Sequence, residues 1–127
     1  MAGENPAQSV AYVNRNKNSL FGVQLGDGYS RVGAEDGLAF GSLSPKQSIE
    51  FVYWLIKTNF KGHIYFDTFP RNEDPIRECE YNIRQFKKMY KLAHKMLKGD
   101  DSIKVNNILS KQDAMAMLEY LESNSNI

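Results

Sequence analysis

The sequence lacks a pair of cysteines, a long apolar run and any large excess of charge of one sign. Its one cysteine, Cys79, excludes an internal disulfide, and its apolar helical setting predicts that it packs rather than reacts. No apolar run approaches the roughly 20 residues that a membrane-spanning helix needs. The 16 Lys and Arg residues are nearly balanced by 15 Asp and Glu, a net charge of +1. We therefore expect neither a nucleic-acid nor a membrane partner. Because the N-terminus also lacks the pattern of a signal peptide, we expect a cytoplasmic protein.

The length and composition indicate one globular domain. The chain has 127 residues, of which 42% are hydrophobic and 24% charged, as in ordinary soluble proteins. Basic residues cluster at Lys87, Lys88, Lys91 and Lys95, where the spacing indicates the solvated face of one helix. The sequence carries no spacing typical of nucleophilic catalysis, zinc binding or a phosphate-binding loop, which disfavours those functions.

Three short segments carry residues that start helices: Asn5-Pro6-Ala7-Gln8, Ser44-Pro45-Lys46-Gln47 and Asp74-Pro75. In each, a side-chain oxygen can accept a hydrogen bond from a free N–H of the first turn, and proline suits the first helical position. The first two segments also place Gln three residues after the cap, as in a capping box. We therefore predict that helices begin at these three prolines.

Apolar residues then recur at helical spacing. The predicted buried face of the second helix consists of Ile49, Val52, Tyr53, Ile56 and Phe60. That of the third consists of Ile76, Cys79, Ile83, Phe86, Tyr90, Ala93 and Leu97. A fourth helix is predicted from Ser110, with a buried side of Ala114, Met117, Leu118 and Leu121.

Two short apolar runs between the helices, residues 20–25 and 63–69, have the composition of strands. Strands that alternate with helices pair in parallel through right-handed crossovers. Parallel strands need cover on both faces, and two strands alone make a poor core. We therefore predict an α/β fold that is incomplete by itself.

Both predicted strands lead to an acidic residue, Asp27 after the first and Asp67 within the second, and a loop with Glu35 and Asp36 follows Asp27. The carboxyl ends of parallel strands share one edge, where active sites are built. Carboxylates that converge there need a cation, and oxygen ligands suit Mg²⁺ or Mn²⁺. The alternative is that the acidic residues of the first loop are turn formers. Asp67, set among aromatic residues, is the strongest candidate for a metal ligand.

The residues around both strands resemble xylose isomerase-like TIM-barrel proteins. Gly62–Pro75 (GHIYFDTFPRNEDP) resembles the eighth strand and the loop after it. Residues 24–28 (QLGDG) and 35–42 (EDGLAFGS) resemble the seventh strand and its metal-bearing loop, in the style of the L-rhamnose isomerase branch. Asn5–Ser9 is similar to the start of the sixth helix.

This resemblance extends from about Gly3 to Leu97 and implies an α/β fold that is part of a (β/α)8 TIM barrel. Residues 1–98 would form roughly its last three βα units without the sixth strand. Residues 99–127 would form a C-terminal extension with one helix.

The resemblance also implies a function, a fragment of a divalent-metal-dependent sugar isomerase of carbohydrate metabolism that interconverts aldoses and ketoses. It implies Mn²⁺ or Mg²⁺ as cofactor and a monosaccharide substrate in the complete enzyme. This chain would be inactive alone, because most of the active site would lie elsewhere. By position, the resemblance assigns the metal ligands Asp67, Glu35, Asp36 and Gln24 and the substrate contacts Asp27 and Arg71.

Two departures from the family pattern leave alternatives open. Gln24 stands where the family usually has a metal-binding His, and Gly37 stands where a second loop carboxylate is expected. The chain is therefore also a candidate for a non-catalytic interaction module, or for a part that works only after self-association or association with a complementing chain. Ketose epimerases share the same barrel, so isomerase and epimerase remain alternatives.

Overall fold

The computed structural model describes residues 5–15, 19–31 and 35–125. In chain order its elements are α1 (Pro6–Val13), β1 (Gly22–Leu25), α2 (Pro45–Lys57), β2 (His63–Phe66), α3 (Pro75–Leu97), α4 (Ser102–Ser110) and α5 (Ala114–Ser125). None of these helices combines the length and the apolar character that a bilayer crossing requires.

The prediction of a partial (β/α)8 barrel is wrong. The described residues form a small helix-rich domain of five helices with one sheet of two strands, and this sheet does not close into a barrel. A barrel closes only when every strand has a neighbour on both sides, whereas β1 and β2 pair only with each other. The one C-terminal helix predicted with the barrel is in fact two helices, α4 and α5.

The local part of the strand prediction is confirmed. The strands β1 and β2 pair in parallel, with Gly22 aligned to His63 and Leu25 to Phe66. The helix α2 connects them, as a parallel pair requires. The βαβ unit itself was therefore predicted correctly, and the error was to extend it to a barrel.

Two of the three predicted helix starts have the predicted cap. At α1, Asn5 Oδ1 accepts hydrogen bonds from the backbone N–H groups of Ala7 at 3.0 Å and Gln8 at 3.4 Å. At α3, Asp74 Oδ1 accepts one from the N–H of Ile76 at 3.0 Å. Each cap satisfies an N–H that lacks a partner within its helix, which stabilises a helix by about 1 kcal/mol.

The start of α2 is stabilised in another way, and the capping box predicted there is wrong. The Ser44 side chain makes no capping hydrogen bond. Instead, Asp27 Oδ2 accepts hydrogen bonds from the backbone N–H groups of Leu43 and Ser44, both at 2.8 Å. A carboxylate that follows β1 thus holds the segment that leads into α2.

The hydrophobic core lies between the helices and one face of the sheet. Leu25 is buried in it, and Val23, Ile64 and Phe66 pack against it. The helices contribute Val10, Ile49, Phe51, Val52, Leu55, Ile56, Met89, Leu92, Ala93, Met96, Val105, Ile108 and Tyr120. Burial of each large apolar side chain stabilises the fold by about 1.5–3 kcal/mol, so this layer is the main source of stability.

The helix α3 buries a stripe that only partly matches the predicted one. Of the predicted face, Ala93 is buried and Phe86 and Leu97 pack against the core. Ile76 is 69% exposed and Cys79 is also exposed, so the prediction that they pack in the core is wrong. The buried residues of α3 are Asn82, Met89, Leu92, Ala93 and Met96. The polar residue Asn82 begins the true stripe, and an apolar pattern alone therefore cannot reveal it.

The helix α5 begins later than predicted and faces the core with another residue. It starts at Ala114, and Asp113 Oδ1 accepts a hydrogen bond from the backbone N–H of Ala116 at 3.0 Å. Leu118 is 42% exposed and Tyr120 only 4% exposed. The aromatic ring, and not Leu118, is thus the main buried contact of α5.

Candidate functional site

One face of the sheet is exposed and holds two candidate residues, Gln24 of β1 and Asp67 directly after β2. Side chains alternate between the faces of a strand, and exposure alternates along β1 and β2 in the same way. Gln24, His63, Tyr65 and Asp67 are exposed, and the rings of His63 and Tyr65 lie 6.2 Å apart. We call the surface of these four residues the open face.

The parallel register brings Gln24 and Asp67 to the same end of the open face. Gln24 aligns with Tyr65, and Asp67 follows two residues later, where its backbone N–H donates to the carbonyl oxygen of Leu25 at 2.8 Å. Gly26 permits this close approach, because a Cβ there would lie 2.9 Å from the carbonyl oxygen of Asp67. An amide and a carboxylate therefore project from neighbouring strands into solvent.

The exposure of Asp67 changes what its position implies. A carboxylate buried among aromatic side chains would need a cation or another partner. Because Asp67 is exposed, water solvates its charge. Its carboxylate can therefore bind a ligand, but it needs no cation to offset burial.

Asp27 lies beside this edge, and its carboxylate faces the loop backbone. Its Oδ1 accepts a hydrogen bond from the N–H of Gly28 at 2.8 Å, and its Oδ2 accepts those of Leu43 and Ser44. Its own N–H and C=O pair with Leu38 at 2.9 and 3.0 Å. This geometry supports a role for Asp27 in shaping the loop.

Asp36 is held by an arginine from its own loop. Arg31 donates two hydrogen bonds to its carboxylate, at 2.7 and 3.1 Å, and the backbone N–H of Tyr29 donates a third at 2.8 Å. The Arg31 guanidinium, then the N–H of Tyr29 and more weakly the charge of Arg71, hold the pKa of Asp36 below its usual value. Asp36 is therefore an ionised carboxylate already engaged by Arg31, whereas its neighbour Glu35 is exposed.

A buried polar cluster next to the open face was missed from the sequence. Asn82 is fully buried, and its Oδ1 accepts a hydrogen bond from the N–H of Phe40 at 2.8 Å. Its Nδ2 donates to Glu78 Oε1 at 2.9 Å and to Thr68 Oγ1 at 3.3 Å. Thr68 Oγ1 in turn donates to Glu78 Oε1 at 2.9 Å. The signal that could have shown this cluster was an Asn in register with the apolar residues of α3.

This Asn82 cluster, formed by Thr68, Glu78 and Asn82, supports the end of β2. Thr68 directly follows Asp67, so its hydrogen bonds fix the backbone that carries the exposed carboxylate. Glu78 Oε2 is buried and has no hydrogen-bond partner among the described residues. The cluster thus links α3, the strand end and the loop at Phe40.

The candidate metal ligands do not form a complete set in this chain. Across residues 5–15, 19–31 and 35–125, no three His, Cys, Asp or Glu side chains come together as ligands of one ion. Gln24 and Asp67 share the open face, whereas Asp36 is paired with Arg31. Because Mg²⁺ takes about six oxygen ligands, two protein groups would leave most of its coordination to water, substrate or another chain.

Comparisons with models of protein families, with curated proteins and with solved structures gave no match.

Proposed function

We propose that this chain is part of a divalent-metal-dependent sugar isomerase and is inactive without a complementing chain. The observation that carries the proposal is the placement of Gln24 on β1 and of Asp67 directly after β2, at one end of the open face. The resemblance of Gly62–Pro75 and of the segments within residues 24–42 to xylose isomerase-like proteins supports it. We propose Mn²⁺ or Mg²⁺ as cofactor, a monosaccharide as substrate and the cytoplasm as location.

The residues of the open face offer the oxygen ligands that a hard divalent ion prefers, but they are too few to complete its coordination. Asp67 would hold the ion through a carboxylate oxygen, and Gln24 would add a neutral and weaker amide oxygen. When bound, the ion supplies Lewis-acid polarisation of the sugar carbonyl. The Asn82 cluster would keep the Asp67 backbone in place, and Asp27 would hold the neighbouring loop. The remaining ligands and the acid–base groups would come from the complementing chain.

Calorimetric titration with Mn²⁺ tests this proposal. We expect the wild-type chain to bind Mn²⁺ weakly, with a Kd on the order of 0.1–1 mM, as sites with few ligands do. Asp67→Ala should weaken binding by about tenfold or more. Glu119→Ala, which removes an exposed carboxylate from α5, serves as the control and should leave the affinity unchanged. Equal absence of binding in the wild type and Asp67→Ala would refute the proposal.

A non-catalytic interaction module is the second candidate function. It is favoured by Gln24 in place of a metal-binding His and by exposed aromatic residues near it. Tyr65 is 58% exposed on the open face, and Phe69 beyond β2 is 49% exposed. Aromatic side chains are enriched in protein interfaces. A module of this kind would bind no Mn²⁺, and its association would be weakened by Tyr65→Ser but not by Asp67→Ala.

A further inference from the structure

A row of basic side chains runs along the solvent side of α3. Arg84, Lys87, Lys88 and Lys91 are all exposed, and their spacing brings them to one side of the helix. The buried stripe of α3, from Asn82 to Met96, lies on the other side. We call these four residues the basic row.

The basic row borders a groove. Together with Glu80 and Ile83, its side chains line a shallow, open groove of about 470 Å³ on α3. Lys and Arg lay their aliphatic stems along apolar surface and keep their charges at its edge. Ile83, 41% exposed, adds a branched apolar side chain. The result is an apolar floor with a cationic edge.

No salt bridge among the described residues pairs with the basic row; its neighbours are the Glu80 carboxylate, which lines the same groove four residues before Arg84, and the Tyr81 ring, 5.6 Å from the Arg84 guanidinium. The salt bridges found there, Arg31–Asp36 and Lys95–Asp101, involve none of the four residues. Positive charges three and four residues apart on a helix repel one another, so an anionic group that covers the row would relieve this repulsion. The net charge of the whole chain is only +1, which makes the row a local feature rather than general basicity.

We propose that the basic row and Ile83 form a docking surface for an acidic amphipathic helix of a partner protein. The row spans the eight residues 84–91, roughly 10 Å of helix, the length of two turns of a partner. Glu side chains at matching spacing would meet the four cations, and the apolar residues beside them would enter the groove. A nucleic acid would use the charges but not the apolar floor. The surface includes no residue of the open face, so this proposal does not depend on the isomerase proposal.

Fluorescence anisotropy with a labelled model peptide tests the docking surface. The peptide is a helix with Glu at i, i+3, i+4 and i+7 and Leu on the adjoining side. The protein is the full chain, as wild type, as Lys87→Glu/Lys88→Glu/Lys91→Glu, and as the control Lys46→Glu/Lys61→Glu/Lys111→Glu. The control carries the same charge change at exposed lysines elsewhere. All titrations use about 0.15 M salt, so that long-range charge effects are screened.

We expect the row variant to bind the peptide about tenfold or more weakly than the wild type, and the control variant to stay within about twofold. A peptide with Ser in place of Leu should bind the wild type about fivefold more weakly, because it cannot fill the groove. If circular dichroism shows that the Lys→Glu replacements unfold α3, a variant with Lys→Gln at the same three positions is used instead. It removes the charge and retains helix propensity.

Three results would overturn the proposal. One is the absence of saturable binding of the peptide to the wild type. Another is equal weakening in the row and control variants, which would mean that only net charge matters. The third is tighter binding of a single-stranded oligonucleotide of equal charge, which would identify the surface as a nucleic-acid site.

Discussion

Asn82 joins three parts of the chain through one buried amide. Its partners are Phe40 in the loop before α2, Thr68 after β2, and Glu78 one turn earlier on α3. Buried polar groups are costly unless each finds a hydrogen bond. The cluster therefore stabilises the fold only as long as all of its members are present.

We expect Asn82→Leu to lower the free energy of unfolding by about 2–4 kcal/mol. The substitution leaves the buried N–H of Phe40 without its partner and removes one of the two hydrogen bonds that Glu78 Oε1 accepts. Urea unfolding followed by circular dichroism measures the change. Asn106→Leu, at an exposed position of α4, is the control and should change stability by less than about 0.5 kcal/mol. Similar losses in both variants would contradict a special role for Asn82.

The backbone conformation at position 37 and the neighbouring Phe69 ring both require glycine there. Its φ is +65°, and a Cβ there would lie 2.2 Å from Cδ2 of Phe69. A side chain at this position would therefore face both backbone strain and a clash with the ring. The same geometry explains why a carboxylate, which the xylose isomerase-like pattern has here, does not fit this structure.

Gly37→Ala should lower the free energy of unfolding by about 2–4 kcal/mol, the sum of the left-handed φ and the overpacking. Gly22→Ala provides the comparison, because the nearest atom to its added Cβ is the His63 carbonyl oxygen at 3.4 Å. Thermal or urea unfolding of both variants should show the loss for Gly37 alone. A stable Gly37→Ala protein would mean that the loop adopts another conformation.

At the scale of elements, one polar contact ties the C-terminal helices to α3. The hydroxyl of Tyr120 on α5 donates to Asp101 Oδ2 at 2.7 Å, and Asp101 is the residue before α4. Lys95 of α3 lies 3.2 Å from the same oxygen. Three helices thus meet at one carboxylate, and its charge state should affect how firmly they are held.

This contact predicts sensitivity to acid. The hydroxyl of Tyr120, and after it Lys95, hold the pKa of Asp101 below its usual value, while burial and Asp101 raise the pKa of Tyr120. Since the pKa of an unfolded Asp is about 3.9, the contact stabilises the fold above about pH 4. That contribution is lost as the pH falls through the lower pKa of the folded state.

We therefore expect Tyr120→Phe to shift the midpoint of acid unfolding to higher pH. Far-UV circular dichroism between about pH 7 and pH 2 measures this midpoint. Tyr90→Phe, which removes a hydroxyl from a ring that is 47% exposed, should leave it in place. If the two variants unfold at the same pH, the contact does not control the C-terminal helices.

At the scale of the whole molecule, the described residues cover the sheet on one side only. Parallel strands are normally buried on both faces, and unpaired strand edges invite pairing with another chain. Here β1 and β2 each pair with one strand, and Tyr65 lies exposed on the open face. A second copy of the chain is therefore a candidate to pair with this face.

We expect the purified chain to self-associate in a concentration-dependent way, and Tyr65→Ser to weaken the association constant by about tenfold. Sedimentation velocity over a range of concentrations measures this constant. Ile103→Ser removes an apolar side chain that is 84% exposed on α4 and should have no effect. A compact monomer at every concentration would show that the open face is stable in water.

The candidate site was predictable only in part. The parallel pairing of two strands followed from the alternation of helices and strands. The shared edge was predicted for Asp27 and Asp67, but the Asp27 carboxylate faces the loop backbone, and Gln24 was a candidate only through the family resemblance. The engagement of Asp36 by Arg31 and the exposure of Asp67 did not, because a one-dimensional pattern does not show which side chains meet or which sheet face stays open. The barrel prediction started from a local resemblance and assumed further strands. The described residues do not contain those strands.

The sequence by itself determined the features whose interactions lie within a few residues. Asn5 and Asp74 cap helices through N–H groups two or three residues away, and the apolar runs at β1 and β2 form strands by their own composition. The tertiary structure decided the rest: Asp27 reaches Ser44 across 17 residues, and Asn82 reaches Phe40 across 42. A hydrogen bond over such a separation exists only after packing has brought its partners together. The buried side of α3 and the support of the strand end therefore depend on the fold and not on local pattern.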